Sequence, residues 1–274
     1  MRLIVLKDYQ EVSDWAAMHV ARRIHEHASS KQNRDFVLGL PTGSSPIGMY
    51  RRLVELYKAG SLSFAGVTSF NMDEYVGLPA DHPCSYQTFM NEQLFSQVDM
   101  NPGKAHLPKG TAPDLQAECV RYEAAIEAAG GVDLFVGGVG SDGHIAFNMP
   151  GSSLASRTRV KTLTAATRQA NARFFGGNPE AVPATALTVG VGTIMDAREV
   201  LIIVNGQNKA RALRHAVEEG VNHLWPLSCL QLHPSAILVC DEDATMELQA
   251  GTVQYFSEIE ALGSDRAQEP SRAG

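Results

Sequence analysis

An aspartate and a histidine lie two residues apart in a glycine-rich stretch, Gly-Gly-Val-Gly-Ser-Asp-Gly-His, over residues 137–144. A carboxylate this close to an imidazole can orient the ring and polarise it, so Asp142 and His144 are candidates for acid and base chemistry. The glycines let the backbone approach a ligand closely. A histidine in a solvated loop would show the same residue types, and that alternative stays open at this point.

Two adjacent carboxylates, Asp73 and Glu74, follow a short apolar run at residues 67–70. Adjacent side chains at the end of a strand point in different directions, so at most one of the two faces a crevice there. A partly desolvated carboxylate in that place could act as general base for a proton next to a carbonyl or an imine. Either carboxylate could instead cap the segment that follows.

A third candidate site combines small and hydroxyl residues at Thr42, Gly43, Ser44 and Ser45, between a strand end and a helix start. Free N–H groups at a helix N-terminus attract phosphate. The stretch lacks the P-loop lysine and the dinucleotide glycine pattern, and an ordinary strand-to-helix turn would look similar. Cations that could assist, or that could be plain surface charges, are Arg157, Arg159, Lys161, Arg168, Arg173 and Lys209.

The elements that must position these residues follow from hydrophobic periodicity. Short apolar runs alternate with helix-length segments, which predicts an α/β fold of three layers, Rossmann-like, with a mainly parallel sheet and helices on both faces. In such sheets ligands bind beyond the carboxyl ends of the strands, where the candidate residues fall. The runs predicted to be strands are residues 3–6, 36–40, 67–70, 132–136, 200–204 and 236–239.

Two helix starts carry a capping signal. Asp8 with Glu11 resembles a capping box, and the spacing of Val12, Ala16, Val20 and Ile24 predicts one buried face for the helix that follows. A second helix is predicted to begin with Ser45 as its N-cap and Pro46 at its first position.

The chain is predicted to form one domain over residues 1–262. The stretch at about 162–184 lacks a clean period and carries two glycines and two prolines, which is typical of a functional lid. The polar end, residues 263–274, is predicted to be a disordered tail.

Composition excludes several classes of protein. A net charge of -7 without a basic cluster argues against nucleic acid as a partner. No apolar run approaches the ~20 residues of a membrane span. The four cysteines form no CxxC pair, which favours free thiols in a reducing compartment over a disulfide framework or a metal site. We therefore expect a cytoplasmic protein without a metal.

Taken together, these motifs resemble the glucosamine-6-phosphate deaminase family, the sugar isomerases that also include 6-phosphogluconolactonase. The resemblance runs from residue 2 to about residue 261. It implies isomerisation and deamination of glucosamine 6-phosphate to fructose 6-phosphate and ammonia in amino-sugar catabolism, an aldose–ketose isomerisation with amine release that is grouped with the hydrolases, and it implies no cofactor. The matching words are LGLPTG at 38–43, FNMDEYVGLP at 70–79, GGVGSDGHIAFN at 137–148, SSLASRTRVKTL at 152–163 and LTVGVGT at 187–193.

The resemblance also implies roles for single residues. Asp73 matches the base that moves a proton from C2 to C1 of the opened sugar, His144 matches the group that opens the pyranose ring, and Asp142 supports that histidine. The positions that match the binding site of the substrate phosphate are Thr42, Gly43, Ser44, Ser45, Arg173 and Lys209.

A regulatory site follows from the resemblance alone. The family suggests a homo-hexamer with an allosteric site for N-acetylglucosamine 6-phosphate between subunits. The matching positions are Ser152, Arg159, Lys161, Thr162 and Tyr255.

The chain departs from the family pattern at Met149, where a glutamate would complete a triad around the histidine. A thioether cannot take the imidazole proton or stabilise an imidazolium, so Asp142 is left as the acidic partner of His144 in this motif. Three interpretations stay open: a deaminase with impaired ring opening, a phosphosugar isomerase or lactonase with another substrate, and a phosphosugar-binding sensor without catalysis.

Overall fold

The computed structural model describes residues 1–30 and 32–268, and for residues 263–268 it describes the backbone alone. Its main sheet has seven strands in the order β1-β10-β9-β6-β2-β3-β5, and every pairing in it is parallel. A second, antiparallel sheet has the order β4-β8-β7. The strands are β1 (Arg2–Leu6), β2 (Phe36–Leu40), β3 (Val67–Asn71), β4 (Asp73–Tyr75), β5 (Ala105–His106), β6 (Leu134–Gly138), β7 (Arg159–Thr162), β8 (Thr185–Thr188), β9 (Glu199–Val204) and β10 (Ala236–Asp241).

Helices cover both faces of the main sheet, so the predicted three-layer α/β fold is confirmed. Successive strand residues point to opposite faces. Leu238 accordingly packs in the core layer that contains Tyr122 of α4, and Val239 packs in the layer that contains Val20 of α1. The helices are α1 (Tyr9–Ser29), α2 (Ile47–Lys58), α3 (Tyr86–Gln93), α4 (Leu115–Ala128), α5 (Ala165–Asn171), α6 (Val191–Met195), α7 (Ala210–Val217) and α8 (Ala250–Gln268).

One of the two predicted helix starts is confirmed. The Asp8 carboxylate accepts the N–H of Glu11 at 3.0 Å and caps α1. Ser45 is not the N-cap of α2, because that helix begins one residue later and its cap position is Pro46. The Ser45 hydroxyl donates instead to Asn205 Oδ1 at 2.8 Å, which joins the loop after β2 to the loop after β9.

Each predicted strand is present, but the antiparallel sheet was not expected from the sequence. The predicted lid segment, residues 162–184, fills the connection between β7 and β8 and is more regular than its composition indicates, since it contains α5 and two short 3₁₀ turns. At the other end, α8 runs to Gln268. Residues 263–268 are therefore helical, although a disordered tail was predicted there. Extending an existing helix is easier than starting one, because each added hydrogen bond fixes only one more residue. Residues 269–274 lie outside the described residues.

Two features are absent from the described residues. No helix among them has the length and apolar character needed to cross a bilayer. Within the same part of the chain, no group of three or more His, Cys, Asp or Glu side chains is arranged to hold a metal ion.

Candidate active site

The candidate residues gather at the carboxyl edge of the parallel sheet. Thr42 follows β2, Asp73 follows β3, the loop with His144 follows β6, and Lys209 follows β9. Because parallel strands all end at the same edge, residues from distant parts of the chain meet there.

The structure separates the roles of the two adjacent carboxylates. Glu74 accepts backbone N–H bonds from Tyr75 at 2.8 Å and from Tyr86 and Gln87 at 3.0 Å each. Two of these donors open α3, so Glu74 caps that helix. Burial raises the pKa of Glu74, and the three N–H bonds oppose the rise. Glu74 is therefore a structural residue, as one of the two interpretations of the sequence allowed.

Asp73 has a different environment. It is only 7% exposed, and burial together with the neighbouring Glu74 holds its pKa well above the ordinary value of an aspartate. No described residue donates a hydrogen bond to its carboxylate. A desolvated carboxylate without a partner is more basic than one in water, which is the property that a proton-abstracting base needs.

Asp142 and His144 form a hydrogen-bonded pair. The distance from His144 Nδ1 to Asp142 Oδ1 is 2.5 Å. Burial alone would raise the pKa of Asp142, but the hydrogen bond and the charge of His144 outweigh it and the pKa is lowered. The ionised carboxylate fixes the ring, and Nε2 is left as the nitrogen available to a ligand.

The glycines of this loop are required by packing. A Cβ on Gly140 would lie 2.1 Å from the His144 ring. Gly143 has φ +79°, and a Cβ there would lie 2.8 Å from the Trp225 ring, while its carbonyl accepts the N–H of Leu227 at 2.9 Å. The segment around Trp225 therefore packs against the loop that carries Asp142 and His144, and no local pattern in the sequence indicates this contact.

Two of the predicted phosphate ligands, Lys209 and Arg173, lie near enough to each other for their charges to interact. Burial lowers the pKa of Lys209. The negative charge of Asp142 opposes that shift, and the positive charge of Arg173 adds to it, so both groups interact electrostatically with Lys209. Arg173 comes from the lid segment and is exposed. The Thr42 hydroxyl bonds to the Tyr86 hydroxyl and lowers the pKa of that tyrosine, which burial otherwise raises.

Asp241 is a residue of this region that the sequence does not reveal. It ends β10, is buried, and accepts the N–H of Gly206 with both oxygens at 2.9 Å and that of Ala244 at 2.9 Å. These bonds hold the loop that leads into Lys209. Gly206 is 35 residues away from Asp241, so the spacing of residues in the sequence does not indicate this contact.

Met149 is buried, with 8% exposure, in a small apolar cluster beneath the lid segment. Its sulfur accepts the Thr167 hydroxyl at 3.6 Å. The members of this lid cluster are Tyr75, Phe147, Met149, Leu163, Ala172, Phe175, Val182 and Ala186.

The structure groups only part of the implied regulatory site. Arg159 and Lys161 lie on one face of β7, where burial lowers the pKa of each and Arg159 lowers that of Lys161 further. Ser152 is buried and its hydroxyl has no partner among the described residues. Thr162 ends β7. Tyr255 is 59% exposed on α8, and no described contact joins it to β7.

Thr188 lies between the two groups of residues. On β8 it is in register with Asp73 of β4 on one side and with Arg159 of β7 on the other. Its hydroxyl accepts the N–H of Phe147 at 3.1 Å, and Phe147 follows the loop that carries Asp142 and His144.

The chain is similar to known proteins over most of its length. The model of the family "Glucosamine-6-phosphate isomerases/6-phosphogluconolactonase" matches residues 7–239. A glucosamine-6-phosphate deaminase of Porphyromonas gingivalis is 60% identical over 260 residues, which is 95% of this chain and 98% of the relative. One of Borreliella afzelii is 58% identical over 260 residues, 95% of this chain and 97% of the relative.

Solved structures show the same relationship. One described as a monomeric glucosamine-6-phosphate deaminase superposes with a TM-score of 0.85 at 41% identity, covering 89% of this chain and 98% of that chain. A 6-phosphogluconolactonase from Thermotoga maritima has a TM-score of 0.68 at 19% identity, with 88% and 99% of the two chains covered, and shares the fold.

Proposed function

The chain belongs to the family of glucosamine-6-phosphate isomerases and 6-phosphogluconolactonases, and from this premise we propose that it converts glucosamine 6-phosphate to fructose 6-phosphate and ammonia. The observation that carries the proposal is Asp73, a buried carboxylate with a raised pKa and no hydrogen-bond donor among the described residues, at the edge of the sheet that holds the Asp142–His144 pair. The relatives that share about 60% of their residues with this chain bear the same name.

The geometry suits a sequence of proton transfers. His144, oriented by Asp142, moves a proton between the anomeric hydroxyl and the ring oxygen, which opens the pyranose. Asp73 then takes the C2 proton to give an enolamine and returns a proton to C1. The resulting C2 imine adds water and releases ammonia. Thr42, Gly43, Ser44, Ser45, Arg173 and Lys209 hold the phosphate in this proposal.

The reaction class follows from these steps. The carbon skeleton undergoes an aldose–ketose isomerisation, and the final step consumes one water, which is why we group the enzyme with the hydrolases. A phosphosugar from amino-sugar breakdown is the proposed partner of the site. We propose a cytoplasmic location, because all four cysteines are free thiols and three of them are buried.

An assay that follows ammonia and fructose 6-phosphate together tests this function. We expect both products in equal amounts from glucosamine 6-phosphate. Binding without either product would support a phosphosugar sensor, and a product without ammonia would support an isomerase or a lactonase. The likeness to 6-phosphogluconolactonases at 19% identity concerns the fold alone, so the deaminase is the function we propose.

We also propose that Met149 makes ring opening the limiting step, because Asp142 is the acidic partner of His144 in this structure. Met149→Glu should raise the catalytic constant relative to Met149→Gln, which has the same shape without the charge. Supporting acid and base groups contribute ~10²–10⁴ in rate, and we expect at least tenfold. Steady-state kinetics on the cyclic substrate measures this. Equal catalytic constants for the two variants would contradict the proposal.

The resemblance to the family suggests regulation, and the neighbouring cations Arg159 and Lys161 of β7 fit an anionic effector. We propose that N-acetylglucosamine 6-phosphate binds at Ser152, Arg159, Lys161, Thr162 and Tyr255 between subunits of a hexamer and raises the affinity for substrate. Calorimetric titration of each ligand with the other present should show one reciprocal coupling factor, ~5–150-fold. Sedimentation gives the assembly. Affinities that ignore the second ligand, or a monomer at working concentration, would remove this proposal.

A further inference from the structure

Met149 packs between the lid segment, residues 162–184, and the rest of the protein, which we call the body. Tyr75, Phe147 and Ala186 of the lid cluster belong to the body, whereas Leu163, Ala172, Phe175 and Val182 belong to the lid. We propose that Met149 is a positioning residue that docks the lid over the active site through apolar contact. The inference rests on the proposed function in so far as the lid then covers a phosphosugar.

The chemistry of the cluster fits a thioether better than a polar side chain. Except for Tyr75, the members carry apolar side chains, and the polar contact of the Met149 sulfur is the hydroxyl of Thr167 at 3.6 Å. Methionine is flexible, fills irregular gaps and accepts hydrogen bonds weakly, so it loses little on burial here. An uncharged amide in this cluster would lose its hydrogen bonds to water and gain the hydroxyl of Thr167 in exchange.

The lid carries a candidate phosphate ligand, so its docking matters for binding. Arg173 lies in a short 3₁₀ turn between Ala172 and Phe175, two members of the lid cluster. The Phe175 ring meets the Tyr75 ring edge-on at 5.4 Å, and the Cys84 thiol donates to the Phe174 carbonyl at 3.1 Å. Docking through this cluster therefore sets Arg173 in the field of Lys209. Because these contacts are within the protein, they reduce the ordering that substrate binding must supply.

A matched pair of variants tests the docking role. Met149→Leu keeps the apolar character and nearly the volume, and Met149→Gln keeps the length and adds an amide. In the full chain without substrate, we expect the amides of α5 in the Met149→Gln variant to exchange hydrogen roughly tenfold faster than in the parent. We expect Met149→Leu to stay within about twofold, as conservative apolar changes do. Amides of β9 and α1 should be unchanged in both, which distinguishes lid opening from general destabilisation.

Kinetics and a second site complete the test. Met149→Gln should raise KM roughly tenfold and leave the catalytic constant within about threefold, since it weakens docking and leaves His144 in place. Phe175→Ala, on the lid side of the cluster, should speed exchange in α5 as well, and combining it with Met149→Gln should add little. Additive effects, equal exchange in the Leu and Gln variants, or faster exchange throughout the sheet would overturn the inference. Hydrogen exchange is read without substrate, so a failure of the deaminase assay leaves this test intact.

Discussion

Asp73→Asn should lower the catalytic constant by ~10²–10⁴, the usual contribution of a positioned general base. The amide keeps the shape of the buried carboxylate and removes its basicity, so the C2 proton of the bound sugar is no longer taken. The direct measurement is exchange of that proton with deuterated solvent. Exchange at the parent rate would show that another group is the base. Because the pKa of Asp73 is raised, its carboxylate takes up a proton at a higher pH than an ordinary aspartate does. As the pH is lowered, we therefore expect the activity of the parent protein to fall before the pH reaches the ordinary aspartate range.

The same change should leave folding stability intact or improve it. A raised pKa means that the folded protein holds the Asp73 proton to a higher pH than the unfolded chain does. Ionisation of Asp73 therefore weakens folding as the pH rises through that window, and asparagine avoids the loss. Glu74→Gln is the matched control, since it disturbs three N–H bonds and should lower stability by about 1–3 kcal/mol while proton exchange at C2 continues.

Lys209→Gln should raise KM roughly 10–150-fold, which corresponds to the ~1.5–3 kcal/mol of a hydrogen bond to a charged group. Lys209 is half-buried, and its charge interacts with those of Asp142 and Arg173, so we expect its ammonium to bind the substrate phosphate near the Asp142–His144 pair. The catalytic constant should change much less than KM. Steady-state kinetics measures both, and competition by inorganic phosphate should weaken in parallel with substrate binding.

Lys58→Gln is the control for this prediction. Lys58 is exposed at the far end of α2, whose first turn follows the Thr42–Ser45 loop, and it carries the same charge. Its loss changes the net charge equally, so any KM effect shared by both variants reflects overall charge rather than a contact. If KM rises equally in the two, Lys209 does not bind the phosphate.

The parts of the fold that could be predicted from the sequence are those whose signal lies within one short stretch of the chain. Apolar runs such as residues 200–204 reveal buried strands because their periodicity is local, and the rule for parallel sheets then places the loops after β2, β3, β6 and β9 at one edge. The periodicity of apolar residues does not reveal the three strands of the antiparallel sheet. They are three or four residues long, and the pairing of β4 with β8 joins segments more than a hundred residues apart.

The site shows the same limit. The choice between Asp73 and Glu74 could not be made from spacing, because it is decided by two backbone donors at the start of α3, twelve and thirteen residues further on. Ser45 has the right residue type for an N-cap, yet α2 begins one residue too late for it to cap, and Asn205, 160 residues away, accepts its hydroxyl. Tertiary partners override local preference at each of these positions.

From the register of the small sheet, we expect the proposed base and the proposed effector site to be coupled. Asp73 and Arg159 lie opposite the same residue, Thr188, on the two sides of one strand. Neighbouring strands are ~4.8 Å apart, so the backbones of Asp73 and Arg159 lie about 10 Å apart, with only Thr188 between them. A shift of β8 would then displace β4 and β7 together. In directed evolution, substitutions that tune turnover near Asp73 and those that tune regulation near Arg159 should therefore show epistasis, and neither property should be adjustable by itself through this strand.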